Sequence, residues 1–130
     1  MKDLVELAIQ AREHAYAPYS QFRVGAALRA ASGRVYVGVN VENAAYPAGI
    51  CAERTALVTA VAAGERQFEA IAIVTDTPEP SSPCGVCRQM LAEFGVGLKV
   101  TLATVHGAAI ETTLDALLPR AFGPESLARR

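Results

Sequence analysis

The chain reads as an α/β protein with three layers, helices covering both faces of a mixed sheet of about five strands. Three observations carry this reading. Apolar residues recur at helical spacing near the N-terminus, two strand-like runs joined by a turn signal follow, and short apolar runs alternate with helix-forming ones from residue 70 onward. The strand–helix–strand unit between Ala70 and Val105 is expected to cross right-handed, so its two strands should be parallel.

Leu4, Leu7, Ala8, Ala11 and Ala15 predict an amphipathic helix over roughly residues 2–16, ended before Pro18. Arg23 to Leu28 reads as a strand, Ala31-Ser32-Gly33-Arg34 as a turn, and Val35 to Val41 as the hairpin partner. A polar loop from Glu42 to Ile50 delivers the chain to Cys51 and a helix-forming run, Thr55 to Ala63, that stops at Gly64. Ala70 to Thr75 is a continuous apolar run, the pattern of a strand covered on both faces. Prolines 78, 80 and 83 make the next loop rigid and non-helical ahead of Cys84, and Gln89 to Phe94 forms a second helical run. Leu98 to Val105 and Ala109 to Thr112 supply the last two strands. Leu114 to Leu118 is a short helix, and Pro119 to Gly123 an extended arm.

With 130 residues the chain is expected to be one domain spanning residues 1–130, with a core built from Ala and Val rather than aromatics. Its 12 basic and 13 acidic residues leave a formal charge of −1, which gives no electrostatic reason to bind nucleic acid or an anionic membrane. No apolar run approaches the ~20 residues that span a bilayer, and the first residues lack a signal-peptide core. An odd number of cysteines, two of them spaced C-x-x-C, suits a metal site in the cytoplasm better than a disulfide framework.

The chemistry concentrates in Cys51-Ala52-Glu53-Arg54 and Pro83-Cys84-Gly85-Val86-Cys87-Arg88. Each segment opens a helical run, where free N–H groups and the positive dipole end favour thiolate. Three thiolates suit one soft divalent cation such as zinc and leave its fourth position open for water, the arrangement of a catalytic rather than a structural site. Glu53 beside that position becomes a proton carrier. The C-x-x-C pair alone is equally the mark of a redox dithiol, half of a structural zinc site, or buried thiols. A structural site needs a fourth protein ligand, and neither His14 nor His106 lies near a motif. Asn40 and Glu42, two apart at a strand end, place their side chains on one face.

C-A-E-R followed by P-C-x-x-C-R-Q, preceded by P-Y-S-x-F-x-V-G-A and N-x-E-N and followed by L-L-P-R-A-F-G, resembles the small homotetrameric cytidine deaminases, over residues 15–123. The resemblance implies hydrolysis of cytidine and 2′-deoxycytidine to uridine and 2′-deoxyuridine. It implies one zinc on Cys51, Cys84 and Cys87, whose hydroxide attacks C4 while Glu53 shuttles protons, as known for Cys₃ zinc deaminases. It also implies that Arg54 offsets the thiolate charge and that Asn40 and Glu42 bind the ribose 3′-hydroxyl. By the same resemblance Phe22 would lie beside the nucleoside, the Ala52 N–H, with a carbonyl near Ser82, would read the base edge, and Ala44 and Tyr46 would lie near the 5′ end. Phe122 would reach into a neighbouring subunit, so the partners implied are a nucleoside and further copies of the chain, in pyrimidine salvage. Arg88 reads equally as a second cation set against the thiolates or as a surface or subunit contact, and Pro47 to Ile50 departs from the family pattern without an implied change of function.

Two rival readings remain. Blasticidin-type deaminases share C-A-E and P-C-x-x-C, but the Leu-Pro-Arg-Ala-Phe tail favours a cytidine enzyme. A non-enzymatic zinc or redox module would use the same thiols without turnover. Guanine and tRNA-adenosine deaminases usually carry H-A-E, against Cys51 here.

Overall fold

The computed structural model describes residues 3–128. Helix α1 (Leu4–Arg12) starts at Asp3, whose side chain accepts the Glu6 N–H at 2.8 Å, an N-cap that satisfies one of the free donors of the first turn. The helix ends short of Ala15. Tyr16 instead pairs through its backbone, donating N–H to Asn40 O at 3.0 Å and accepting Glu42 N–H at 2.9 Å. Those two bonds pull the chain out of the helix and lay it beside the segment that follows the first hairpin.

Strands β1 (Val24–Ala30) and β2 (Val35–Val39) form that hairpin. Val41 was expected in β2, but it bridges Ile50 across the polar loop instead, with a 3₁₀ turn at Tyr46–Ala48 between them. After α2 (Ala52–Ala62) come β3 (Phe68–Thr75), α3 (Gly85–Ala92), β4 (Lys99–Thr104) and β5 (Ala109–Thr113). The strand order is β2-β1-β3-β4-β5, with β3 and β4 parallel as expected and every other pair antiparallel. A short α4 (Leu114–Leu117) follows. The tail adds α5 (Pro124–Ala128), a helix the sequence reading did not anticipate. Among the described residues no helix is long and apolar enough to cross a membrane.

Strand alternation separates the two faces. Ala26, Leu28, Ile71, Ile73, Val100 and Leu102 pack with Ala56 and Leu57 of α2 and Leu91 of α3. Ala27, Ala72, Val74 and Ala103 pack with Leu4 and Ala8 of α1. The sheet is therefore sandwiched between α1 and the α2–α3 pair, the expected three layers.

Small residues let these layers approach at backbone distance. A methyl group on Gly38 of β2 would collide with Ala56 N and Ala52 O and stand 2.9 Å from Ala56 Cα. One on Gly25 of β1 would collide with Ala8 O and stand 2.9 Å from the Arg12 Cβ. Backbone cannot yield as a side-chain tip can. Gly38→Ala should therefore lower the unfolding free energy by about 3 kcal/mol, the upper range for overpacking. Urea denaturation measures it, and a loss below about 1 kcal/mol would show that α2 lies further from β2.

Candidate active site

Cys51 and Cys84 are the N-cap residues of α2 and α3, both with extended backbone, and Cys87 lies in the first turn of α3. Helix α3 begins at Gly85, so all three thiols stand at helix starts, as expected. Their sulfurs lie within 4.8 Å of one another, Cys51 to Cys84 at 3.9 Å and Cys84 to Cys87 at 3.3 Å. Tetrahedral thiolate ligation with bonds near 2.3 Å spaces sulfurs by roughly 3.8 Å. The trio fits a zinc ion in both donor type and spacing. No described His, Asp or Glu joins the cluster, which leaves a tetrahedral ion one position for water.

The thiols are electrostatically unequal. A hydrogen bond from Cys87 lowers Cys51 to about 5, against the desolvation that burial imposes, with help from Arg54. The same Cys51–Cys87 contact, together with burial and the nearby Glu53, pushes Cys87 up. Charge in the trio therefore gathers on Cys51, which Arg54 faces with Nη2 at 3.9 Å from Sγ. The same nitrogen lies 3.5 Å from Gly49 O, while the buried Nε finds no hydrogen-bond partner. Arg54 is thus the cation set against the sulfurs.

Glu53 is 4% exposed, in the first turn of α2. Burial raises its pKa, and the Cys51 charge raises it further against an opposing backbone hydrogen bond. A buried carboxyl with its proton affinity raised is suited to accept and return protons.

Glu53 opens onto a cavity of 450 Å³ that Cys51 and Cys84 also line. Of the residues singled out from sequence, Phe22, Asn40, Glu42, Tyr46, Ala52 and Arg54 share this lining. Ser82 lines it as well, whereas Ala44 and Phe122 do not. Phe122 is 60% exposed on the arm after α4.

Asn40 and Glu42 also hold the cavity wall together. Asn40 accepts the Val24 N–H at 2.9 Å and donates to Phe22 O at 2.7 Å, which fixes the aromatic's backbone. Glu42 accepts the N–H groups of Tyr19 at 2.9 Å and Ser20 at 3.1 Å, and the Ser20 hydroxyl as well. The Ser20 hydroxyl bond in turn holds the Glu42 carboxyl below its ordinary pKa, so it stays ionised.

Two lining residues with polar side chains escaped the sequence reading, Thr75 and Ser81. Thr75, 3% exposed at the end of β3, shares a 2.8 Å hydrogen bond with Thr77, whose hydroxyl also meets Ser81 at 3.4 Å. These hydroxyls shape the proline-rich loop beneath the cavity. Their spacing matches no short motif, and only the strand's C-terminal end at Thr75 hinted at a site.

Comparison with known proteins places these features in a wider set. Residues 1–103 match the family described as "Cytidine and deoxycytidylate deaminase zinc-binding region". The chain is 51% identical over 128 residues to a cytidine deaminase of Sporosarcina psychrophila, covering 98% of this chain and 94% of that protein. It is 50% identical over 125 residues to one of Halalkalibacterium halodurans, covering 95% of each. The fold superposes on the crystal structure of cytidine deaminase from Burkholderia pseudomallei with a TM-score of 0.90 at 51% identity, covering 94% of this chain and 100% of that one.

Proposed function

The chain belongs to the cytidine and deoxycytidylate deaminase zinc-binding family, and from that membership we propose that it hydrolyses cytidine and 2′-deoxycytidine to uridine and 2′-deoxyuridine, releasing ammonia. The observation that carries this reading is three thiols within 4.8 Å of one another, two of which, Cys51 and Cys84, line one cavity with a buried Glu53. The chemistry supplied by a zinc bound to Cys51, Cys84 and Cys87 is Lewis acidity toward water.

The protein's own groups do the rest. Glu53 takes one proton from the attacking water and hands it to N3 of the pyrimidine, then takes the second from the hydroxyl now on C4 and gives it to the departing amine, which leaves as ammonia. Arg54, with Nη2 3.9 Å from Cys51 Sγ, balances the charge of the thiolates. Ala52 N–H, at the start of α2, reads the base edge together with a carbonyl near Ser82, and Phe22 packs beside the ring. Asn40 and Glu42 receive the ribose 3′-hydroxyl. A carboxylate offers about four lone-pair sites, so the three donors already on Glu42 leave one for substrate.

The 3′-hydroxyl is common to both nucleosides. Glu42→Gln should therefore raise KM about tenfold or more for cytidine and deoxycytidine alike, the loss expected for a hydrogen bond to a charged group. Steady-state kinetics on both substrates checks this, and a rise confined to cytidine would move Glu42 to the 2′-hydroxyl.

We further propose that Ala44 and Tyr46 lie near the 5′ end of the nucleoside and that Phe122 stacks on the base in a neighbouring subunit's cavity. Phe122 is exposed and does not line the cavity of its own chain, which supports a composite site in a homotetramer. Residues 1–130 then act as one catalytic unit, in cytoplasmic pyrimidine salvage, where three free thiols stay reduced. Incubating the purified protein with cytidine tests the activity directly. The expected result is the ultraviolet shift to uridine with one ammonia per nucleoside, and turnover of blasticidin without cytidine would overturn it.

A further inference from the structure

Arg88 follows the last thiol directly and is half-buried. Its Nε donates to Pro83 O at 2.8 Å, one residue before Cys84, and its Nη1 donates to Leu117 O at 2.7 Å, at the end of α4. Gln89, next along α3, donates from Nε2 to Phe122 O at 2.7 Å. Two adjacent side chains therefore grip both ends of the arm between α4 and α5. Within the arm, Leu118 and Ala121 rest on the core while Phe122 points outward and Arg120 adopts a left-handed φ of 57°. An arm with one strained residue and no strand partner needs outside donors to keep one path.

We propose that Arg88 and Gln89 are positioning residues that lock the arm, and with it Phe122, to the helix carrying Cys84 and Cys87. The guanidinium fork suits this task because it serves two carbonyls in different directions from one rigid plane, which a lysine ammonium does less well. The donor geometry ties the start of the metal-bearing loop to the aromatic that meets substrate. The kinetic part of this inference rests on the proposed placement of Phe122 beside the base; the structural part does not.

The test combines amide hydrogen exchange of residues 118–123 with cytidine kinetics and zinc content on the zinc-loaded protein. Arg88→Ala and Gln89→Ala should each speed exchange in the arm about tenfold or more while the amides of β3 and β4 keep their protection. Arg88→Lys should fall between. KM should rise more than kcat falls, zinc should stay at one per chain, and Arg88→Ala should add little to the KM of Phe122→Ala, since both disable the same contact. Unchanged exchange in both alanine variants overturns the inference, as does strict additivity with Phe122→Ala. Should Arg88→Ala not fold, the exposed Gln89 still decides through the exchange measurement. A wild-type protein inert toward cytidine sinks the proposed activity but leaves the exchange result valid.

Discussion

Replacing Glu53 by alanine is expected to leave one zinc per chain and to lower kcat for cytidine by about three to four orders of magnitude, the upper range for removal of a general acid–base group. The side chain is almost wholly enclosed at the first turn of α2, two residues after Cys51, and it is not among the three clustered sulfur ligands. Burial already raises its proton affinity, which supports the proposed role in proton transfer. Glu53→Gln separates charge from shape. The amide fills the same space, keeps zinc and cannot carry the proton, so it should be as slow as alanine. Metal analysis beside single-turnover kinetics decides the matter, and near-normal turnover in either metal-replete variant would remove Glu53 from the mechanism.

The second large effect is loss of a thiol. Cys84 is exposed and Cys87 is fully buried, so the pair separates two consequences of removing a ligand. Cys84→Ala should bind little zinc and show no measurable deamination. Its stability should match that of the wild-type protein stripped by a chelator, because little packing is lost with an exposed side chain. A ligand present at a thousand times its Kd contributes about 4 kcal/mol to the folded state. For a domain of this size the corresponding fall in Tm is on the order of 10–20 °C. Cys87→Ala should fall further still, since it also leaves a small void where α3 meets the core. Equal melting temperatures for the two variants, each measured with chelator, would show that burial at Cys87 contributes nothing.

Much of this site could be read before any coordinates existed, because it is local. Cys51, Glu53, Arg54, Cys84 and Cys87 lie within two short segments, and helix-start chemistry is written in consecutive residues. The sheet was legible for a similar reason, since the apolar run into Thr75 and the Gly33 turn are period and punctuation. Features that depend on distant partners were not. Helix α1 stops early because Tyr16 finds the backbone of Asn40 and Glu42, a pairing no window around Ala15 contains. Val41 left β2 for Ile50 by the same kind of contact. The start of α3 at the thiols, by contrast, was legible, since the rigid approach through Pro83 sets Cys84 as its cap. Helix α5 is different: Pro124 at its start and Glu125 behind it are ordinary opening signals, but the five-residue run is too short for an apolar period to mark it.

The bare contacts at Gly25 and Gly38 bear on how such a scaffold could be altered. Where main chain rests on main chain there is no cushion of side chain to absorb an error. A displacement of β2 travels undiminished into α2 and on to the carboxyl and sulfur it carries. Attempts to re-engineer substrate preference should therefore spare the sheet's inner strips and work on the outer loops that carry Tyr46 and Phe122, both exposed on their own chain.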